Sequence, residues 1–218
     1  MSVITISRES GSAGSYIAER VAQTLDYHFV DKKTIEQILI QYGFVEFKKE
    51  YDSVPGFWTR FDPQRVEMVK MLDRVIQALA RHGNGVILGR GSFAVIGGFA
   101  DVLNVRIQAP LPVRVKRMME QQKITEIGQA EAIVKESDAV RAVFIESFYG
   151  VRWDAANAFD LVINTGKVPP ELAVTWLVET VKALNQRKGG DERTTSAIQV
   201  DPILTTVVST ILDCQMTH

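Results

Sequence analysis

The sequence predicts an α/β protein, a five-stranded parallel sheet sandwiched by helices. Three observations carry that expectation. Short β-branched or aliphatic runs alternate with segments whose apolar residues recur at helical spacing. The runs stop at turns bearing glycine, proline or aspartate. The 218 residues are 46% hydrophobic and 23% charged, ordinary globular composition with enough apolar material for a sizeable core. The length predicts one domain with an appendage, since a domain typically takes ~100–200 residues.

Val3-Ile4-Thr5-Ile6 is the first strand, and it feeds the polar, glycine-containing segment Ser7 to Ser15. Ile17, Ala18, Val21, Ala22 and Leu25 then mark a helix that opens near Gly14 or Ser15 and ends near Asp26. Tyr27–Val30 is a second strand closed by Asp31, and residues 32–42 and 63–82 are helices. Residues 43–62 between them mix aromatics, charges and a Pro-Gly pair. Gly85–Leu88 is a third strand, stopped by Gly89-Arg90-Gly91, and Val102–Ile107 a fourth, stopped by Ala109-Pro110. Residues 111–121 and 126–148 are helices, Phe159–Ile163 a fifth strand, and residues 170–186 a helix with proline in its first turn. The strand–helix order predicts ligands beyond the carboxyl ends of the strands.

Residues 187–196, rich in Gly, Lys, Arg, Asp, Glu and Thr, read as a solvated connector. After Pro202, the apolar residues Ile203, Leu204, Val207, Val208, Ile211 and Leu212 form a stripe opposite Thr205, Thr206, Ser209 and Thr210. A helix packing back on the domain is the expected use of that stripe, with a homodimer contact the alternative.

The 25 basic and 26 acidic residues nearly cancel, so no global field draws the protein to polymeric nucleic acid or to an anionic membrane. Any phosphate site must be local. Cys214 is the single cysteine, which excludes an internal disulfide framework and a zinc site of several thiolates, and makes a reducing cytoplasmic setting the default. No run approaches the ~18 apolar residues of a membrane span, and Arg8 and Glu9 interrupt the place where a signal peptide would continue. His28, His82 and His218 carry no metal-ligand spacing and read as surface or structural.

The chemistry gathers at strand ends. Strand, Gly11-Ser12-Ala13-Gly14-Ser15 and helix follow in the order that makes a phosphate cradle, because glycine lets backbone amides approach oxygens and the helix N-terminus adds its dipole. A tight strand-to-helix connection would look the same. Against the pattern G-x-x-x-x-G-K-[ST], Ser15 takes the hydroxyl position, Gly14 the lysine, and Ala13 and Arg8 the two glycines. The phosphate-bridging lysine is therefore absent, and Arg8 is the nearest cation to replace it.

From Val3 to Leu184 the chain resembles the cytidylate-kinase-like family, a branch of the P-loop nucleoside monophosphate kinases. The resemblance rests on the ordered blocks ITISRESGSAGSYIAERVAQTLDYHFVDKKTI, GVILGRGSFAVI, VRIQAPLPVRVKRMME, KESDAVRAVFIESFYG and FDLVINTGKVPPELAV. It implies a three-layer P-loop fold over residues 1–186, with an acceptor-binding insert at about 32–83 and a helical lid at about 111–150. Residues 187–201 would then be a linker and 202–218 a C-terminal amphipathic helix.

Carried over residue by residue, the resemblance implies that Gly11, Ser12, Ala13, Gly14 and Ser15 take the donor β-phosphate of ATP, with Ser15 a Mg²⁺ ligand. Asp31 and Lys32 would face the acceptor nucleotide and Arg90 would hold its phosphate, a task suited to a guanidinium fork. Authentic cytidylate kinases follow that arginine with an aspartate that reads the base, and this chain has Gly91. Arg114, Arg117 and Arg141, with Arg8, would stabilise transferring charge, and Asp138 would contact substrate. The ordinary alternative for each is a solvated helix charge, as it is for Lys116. Thr165 and Lys167 fall where such folds contact the donor base. Arg60, flanked by Phe57, Trp58 and Phe61, falls in the insert and suits stacking on a base, with core packing the alternative for the aromatics. Tyr149 and Trp153 read as anchors of the lid's return to the sheet.

Three functions compete. One is a Mg²⁺-dependent kinase moving the ATP γ-phosphoryl group to a nucleoside monophosphate, CMP or dCMP by family default. Another is a catalytically weakened nucleotide-binding or regulatory protein, favoured by Gly14. The last is a kinase of another small acceptor, favoured by Gly91.

Overall fold

The computed structural model describes residues 2–44, 63–186 and 192–216. In chain order the elements are β1 (Val3–Arg8), α1 (Gly14–Leu25), β2 (His28–Val30), α2 (Lys32–Gln41), α3 (Pro63–His82), β3 (Gly85–Leu88) and α4 (Ser92–Ile96). They continue with β4 (Val102–Gln108), α5 (Leu111–Gln122), α6 (Ile127–Tyr149), β5 (Leu161–Asn164), α7 (Pro170–Gln186) and α8 (Pro202–Met216). The five strands form one parallel sheet in the order β2-β3-β1-β4-β5. Val3 pairs with Gly85 on one side and Val102 on the other, so β1 lies at the centre and its carboxyl end opens between β3 and β4.

Alternation along β1 decides which helices cover which face. Ile4 and Ile6 join Val86, Leu88, Val105 and Ile107 against Ile17 and Val21 of α1 and Leu177 and Val181 of α7. Val3, with Ile87 and Val102, faces Ile35 and Ile38 of α2 and Leu72, Val75 and Ile76 of α3. Helix α5 and the first half of α6 share a small core of Val115, Met118, Ala130 and Val134, while Phe144 and Ile145 farther along α6 join the core of α2 and α3.

Half of the C-terminal stripe is buried within the chain, while Val207 and Ile211 are partly buried and Ile203 is exposed. Leu204, Val208 and Leu212 of α8 are each 1% exposed and belong to the same core as α2 and α3, so those residues are unavailable for a homodimer contact. Asp201 caps α8 by accepting from the amides of Ile203 and Leu204 at 2.9 and 3.0 Å. The stretch before it departs from the expected solvated connector. Thr195 is buried and bonds Asp101 through its amide at 2.8 Å and its hydroxyl at 2.6 Å, and Arg81 donates to the carbonyls of Ser196 and Ile198. Polar composition concealed this anchoring because side chain–backbone bonds leave no apolar periodicity to read. The five-residue α4 was also missed, since one turn is too short for a helical repeat.

His28 and His82 meet edge-on beneath the sheet edge, ring centroids 5.1 Å apart, each with a buried Nδ1 that has no hydrogen-bond partner. Burial is the largest cause of a lowered His28 pKa, the charge of His82 adds to it, and Asp213 and Asp26 oppose it. Below the ordinary value of 6.5 the unfolded chain therefore binds more protons than the folded one. Stability present above that pH is lost as the pH falls toward the depressed folded-state value. Urea unfolding between about pH 5 and 8 should show this slope, and His28→Phe should flatten it; an unchanged slope would remove His28 as its source.

Candidate active site

The turn leaving β1 has the shape of an anion cradle. Gly11 (φ +76°) and Ala13 (φ +63°) are both left-handed, and Ala13 adopts this conformation where the pattern has its second glycine, at a cost of roughly 1–2 kcal/mol. The first amides of α1, from Gly14 onward, have no intrahelical acceptor and point out of the helix beside the positive end of its dipole. Ser15 is exposed in that first turn. The loop is held from several sides. Ser12 Oγ donates to the Glu9 carbonyl at 2.8 Å, Thr165 Oγ1 at the end of β5 donates to the Ser12 carbonyl at 2.7 Å, and Ser10 N donates to Asp138 Oδ1 at 2.8 Å. At Gly11 a Cβ would lie 2.5 Å from the Arg114 carbonyl oxygen, so this glycine also permits the close approach of α5.

Beneath the loop runs a largely buried charge network. Arg106, 2% exposed in β4, donates from Nη1 to the Trp153 carbonyl at 2.7 Å, lies 4.5 Å above the Trp153 ring, and sets Nη2 3.5 Å from Glu9 Oε1. Burial lowers its pKa and the Glu9 carboxylate opposes that shift; its Nε is buried without a partner. Arg114 reaches Glu9 Oε2 at 3.3 Å, the Ala109 carbonyl at 2.9 Å and Asp138 Oδ2 at 2.6 Å. Asp138 completes the chain by pairing Arg141 at 3.2 Å. Trp153 donates from Nε1 to Ser7 Oγ at 3.0 Å, which anchors the segment after α6 to β1.

Beside the loop, at the carboxyl ends of β1 and β3, lies a cavity of about 530 Å³. Among the described residues, Arg8, Lys32, Arg65, Arg90 and Arg141 line it, contributed by five different segments, against one lining carboxylate, Glu136. Phe93, Phe144 and Phe148 give it an apolar wall. Its volume and mixed lining suit a small anionic molecule with a flat apolar part. Arg90 (φ +60°) is held left-handed between Gly89 (φ +78°) and Gly91 (φ +73°), a strained conformation of the kind retained at ligand sites.

Gly91 is filled from outside. A Cβ there would lie 2.5 Å from Tyr149 Cε2, and the Tyr149 hydroxyl donates to Asp73 Oδ1 at 2.8 Å. Burial raises the Asp73 pKa, against the lowering effect of that hydrogen bond. No aspartate side chain fits at position 91 while this tyrosine keeps its place.

The residues singled out from sequence divide by position. Arg8, Lys32, Arg90 and Arg141 line the cavity. Arg114, 9% exposed, and Asp138 are paired with each other below the loop rather than lining the cavity. Arg117 bridges loop and sheet, donating to Thr165 Oγ1 at 3.0 Å and its carbonyl at 2.9 Å. Thr165 is buried by these bonds, Lys167 is exposed, and Lys116 is exposed and paired with Glu120. Asp31 caps α2, its Oδ1 accepting from Thr34 N at 3.0 Å, and lies outside the cavity lining. Arg60, Phe57, Trp58 and Phe61 lie outside the described residues. Glu9, Arg65 and Arg106 were missed. The signal for Arg106 was a charge inside an apolar parallel strand, which must be paired.

Among the described residues no group of three or more His, Cys, Asp or Glu side chains is arranged to hold a metal. No helix among them is long and apolar enough to cross a membrane.

Residues 3–167 match the model of the cytidylate kinase-like family. A cytidylate kinase of Ignicoccus hospitalis is 30% identical over 184 residues, covering 84% of this chain and 99% of that protein. A cytidylate kinase of Halobacterium salinarum is 24% identical over 183 residues, covering 83% and 90%. A crystal structure of an uncharacterized protein from Eubacterium ventriosum shares the fold with a TM-score of 0.68 at 18% identity, over 86% of this chain and all of that one. With three-quarters of its length inside the family model, the chain belongs to the cytidylate kinase-like family.

Proposed function

We propose that the protein is a phosphotransferase that moves the γ-phosphoryl group of ATP to a nucleoside monophosphate, CMP or dCMP foremost. The observation that carries this reading is the convergence of five cationic side chains on one cavity beside the helix-capping turn. Two charged phosphate groups must be brought together for the transfer, and their mutual repulsion is what such a cluster offsets. The bond between the γ-phosphorus and the β–γ bridging oxygen breaks, and a bond from that phosphorus to an acceptor phosphate oxygen forms. ADP leaves with the electron pair. The acceptor oxygen is already ionised, so no general base is needed and the site's lack of a histidine is consistent with the chemistry.

The turn at Gly11–Ser15 and the first amides of α1 fit the donor's β-phosphate. Ser15, exposed in that turn, would be the side-chain ligand for Mg²⁺, an ion that keeps several waters and needs few protein ligands. When bound, Mg²⁺ neutralises charge on the donor phosphates. Arg90 holds the acceptor phosphate, Lys32 and Arg65 flank it from α2 and α3, and Arg141 reaches it from the lid. Asp138 orients Arg141, and Arg114 ties the lid to the loop. Arg117 and Thr165 brace the donor end. A cytoplasmic setting, where ATP is supplied, goes with this reading.

A different acceptor is favoured by one observation, the Tyr149 ring packed on Gly91. The base-reading carboxylate of authentic cytidylate kinases has no room there, and the wall of Phe93, Phe144 and Phe148 accepts a flat apolar group without selecting cytosine.

An ADP-release assay with ATP, Mg²⁺ and each of CMP, dCMP, UMP, AMP and GMP tests the proposal. Turnover is expected with a pyrimidine monophosphate, and Arg90→Ala should raise the acceptor KM and cut kcat by roughly 10²–10³-fold. Unchanged KM and kcat in Arg90→Ala would remove Arg90 from the acceptor site. ATP binding without turnover on any acceptor would instead favour a nucleotide-binding protein.

A further inference from the structure

The chain departs from the P-loop pattern at three positions, arginine at 8, alanine at 13 and glycine at 14, and the structure makes the first and the last of them one departure. A Cβ on Gly14 would lie 2.5 Å from Arg8 Cβ, 2.9 Å from Arg8 Cγ and 3.3 Å from Ile107 Cβ. Real Cβ atoms do not approach so closely, so position 14 can carry no side chain while position 8 carries this one. Gly14 is the first residue of α1 and is not among the positive-φ glycines, so its conformation does not call for glycine. The Arg8 stem does.

The far end of the same side chain rests on a second glycine. A Cβ on Gly89 would run into Arg8 Nη1 and lie 3.3 Å from Cζ. The guanidinium therefore crosses from the loop to the first residue of the turn that carries Arg90, on the wall of the cavity. Arg8 thus starts beside the donor loop and ends beside the acceptor arginine.

We infer that Arg8 supplies, from the end of β1, the phosphate-bridging charge that P-loop kinases root at the position of Gly14, and that Gly14 and Gly89 are the positioning residues that seat it. This rests on the phosphotransferase reading above. A charge rooted at position 8 reaches the transferring group from the sheet side, and a planar fork can bond two phosphate oxygens where an ammonium acts as a point charge.

A charge exchange tests the inference. Four variants are compared with the wild type: Arg8→Gly, Gly14→Lys, Arg8→Gly/Gly14→Lys and Arg8→Lys. The readouts are the Kd for ATP with Mg²⁺, kcat with the acceptor found above, and Tm. Arg8→Gly should lose ~100-fold in kcat and ~10-fold in ATP affinity, since a single charge-stabilising donor contributes about that much. Gly14→Lys alone should lower Tm and activity together, because lysine and Arg8 compete for one space. The double variant should exceed both singles, recovering at least ~10-fold in kcat over Arg8→Gly and a higher Tm than Gly14→Lys. Losses that simply add in the double variant, with wild-type turnover intact, would overturn the inference and leave the phosphotransferase reading standing. If the wild type binds ATP but turns over no acceptor, the same comparison is read in ATP affinity: recovery supports the exchange and additive loss overturns it. A wild type that binds no ATP would overturn both.

Discussion

Replacing Glu9 by alanine is expected to cost the fold about 3–5 kcal/mol and to lower Tm by roughly 6–20 °C. The carboxylate serves two buried cations at once. Oε1 faces Arg106 Nη2 at 3.5 Å, and Oε2 faces Arg114 Nε at 3.3 Å while accepting the Ala109 amide at 3.0 Å. Arg106 is 2% exposed and cannot shed its proton, so without Glu9 its charge would be left to the Trp153 carbonyl, the Trp153 and Phe159 rings and the weaker pull of Asp154 and Asp138. The loss should come from the stranded cation rather than from a missing attraction. Adding Arg106→Met to Glu9→Ala should therefore restore part of the stability, whereas adding Arg114→Met should do less, because Arg114 keeps Asp138. Chemical denaturation of the four proteins measures this; a Glu9→Ala loss under about 1 kcal/mol would show that the network contributes little.

Asp138→Ala should reduce turnover by about 100-fold while lowering stability less than Glu9→Ala does. Asp138 is a point where α6 touches the loop. Its Oδ1 accepts from the Ser10 amide at 2.8 Å and from Arg141 at 3.2 Å, and its Oδ2 pairs Arg114 at 2.6 Å. Removal leaves the loop amide without this acceptor and takes from Arg141, which lines the cavity, its Asp138 partner, so the effect belongs mainly in kcat. Asp138→Asn keeps one acceptor oxygen and should lie between wild type and alanine. Because Glu9 and Asp138 share Arg114, the double substitution should depart from the sum of the singles. Steady-state kinetics with thermal unfolding separates the two contributions, and equal kcat in wild type and Asp138→Ala would show that α6 is positioned by other contacts.

The elements with sustained apolar repeats were legible in full. The bounds of α3, β3 and α7 coincide with those expected from the sequence, because each has a clear start or stop: proline at the start of α3 and α7, glycine after β3. The cavity cations Arg8, Lys32, Arg90 and Arg141 were also legible, since each follows a strand end or sits at helical spacing in a recognisable block. Arg114 and Asp138 look, in sequence, like any other lid charges. Their mutual pairing depends on α5 and α6 folding against each other over a separation of 24 residues, which no local pattern encodes.

The sequence by itself determined the parallel sheet, the loop at the end of its first strand, and the order in which cationic residues reach the strand ends. Periodicity and turn chemistry are local, so they can be read one segment at a time. Tertiary structure alone decided which charges face the cavity and which neutralise each other beneath it, because burial belongs to a place in three dimensions. It decided, too, that Tyr149 closes Gly91 and that Arg8 lies across Gly14 and Gly89. In the sequence these three glycines look like missing side chains. In the folded protein two of them are occupied by one arginine and the third by a tyrosine, since two side chains cannot share one volume in a close-packed site.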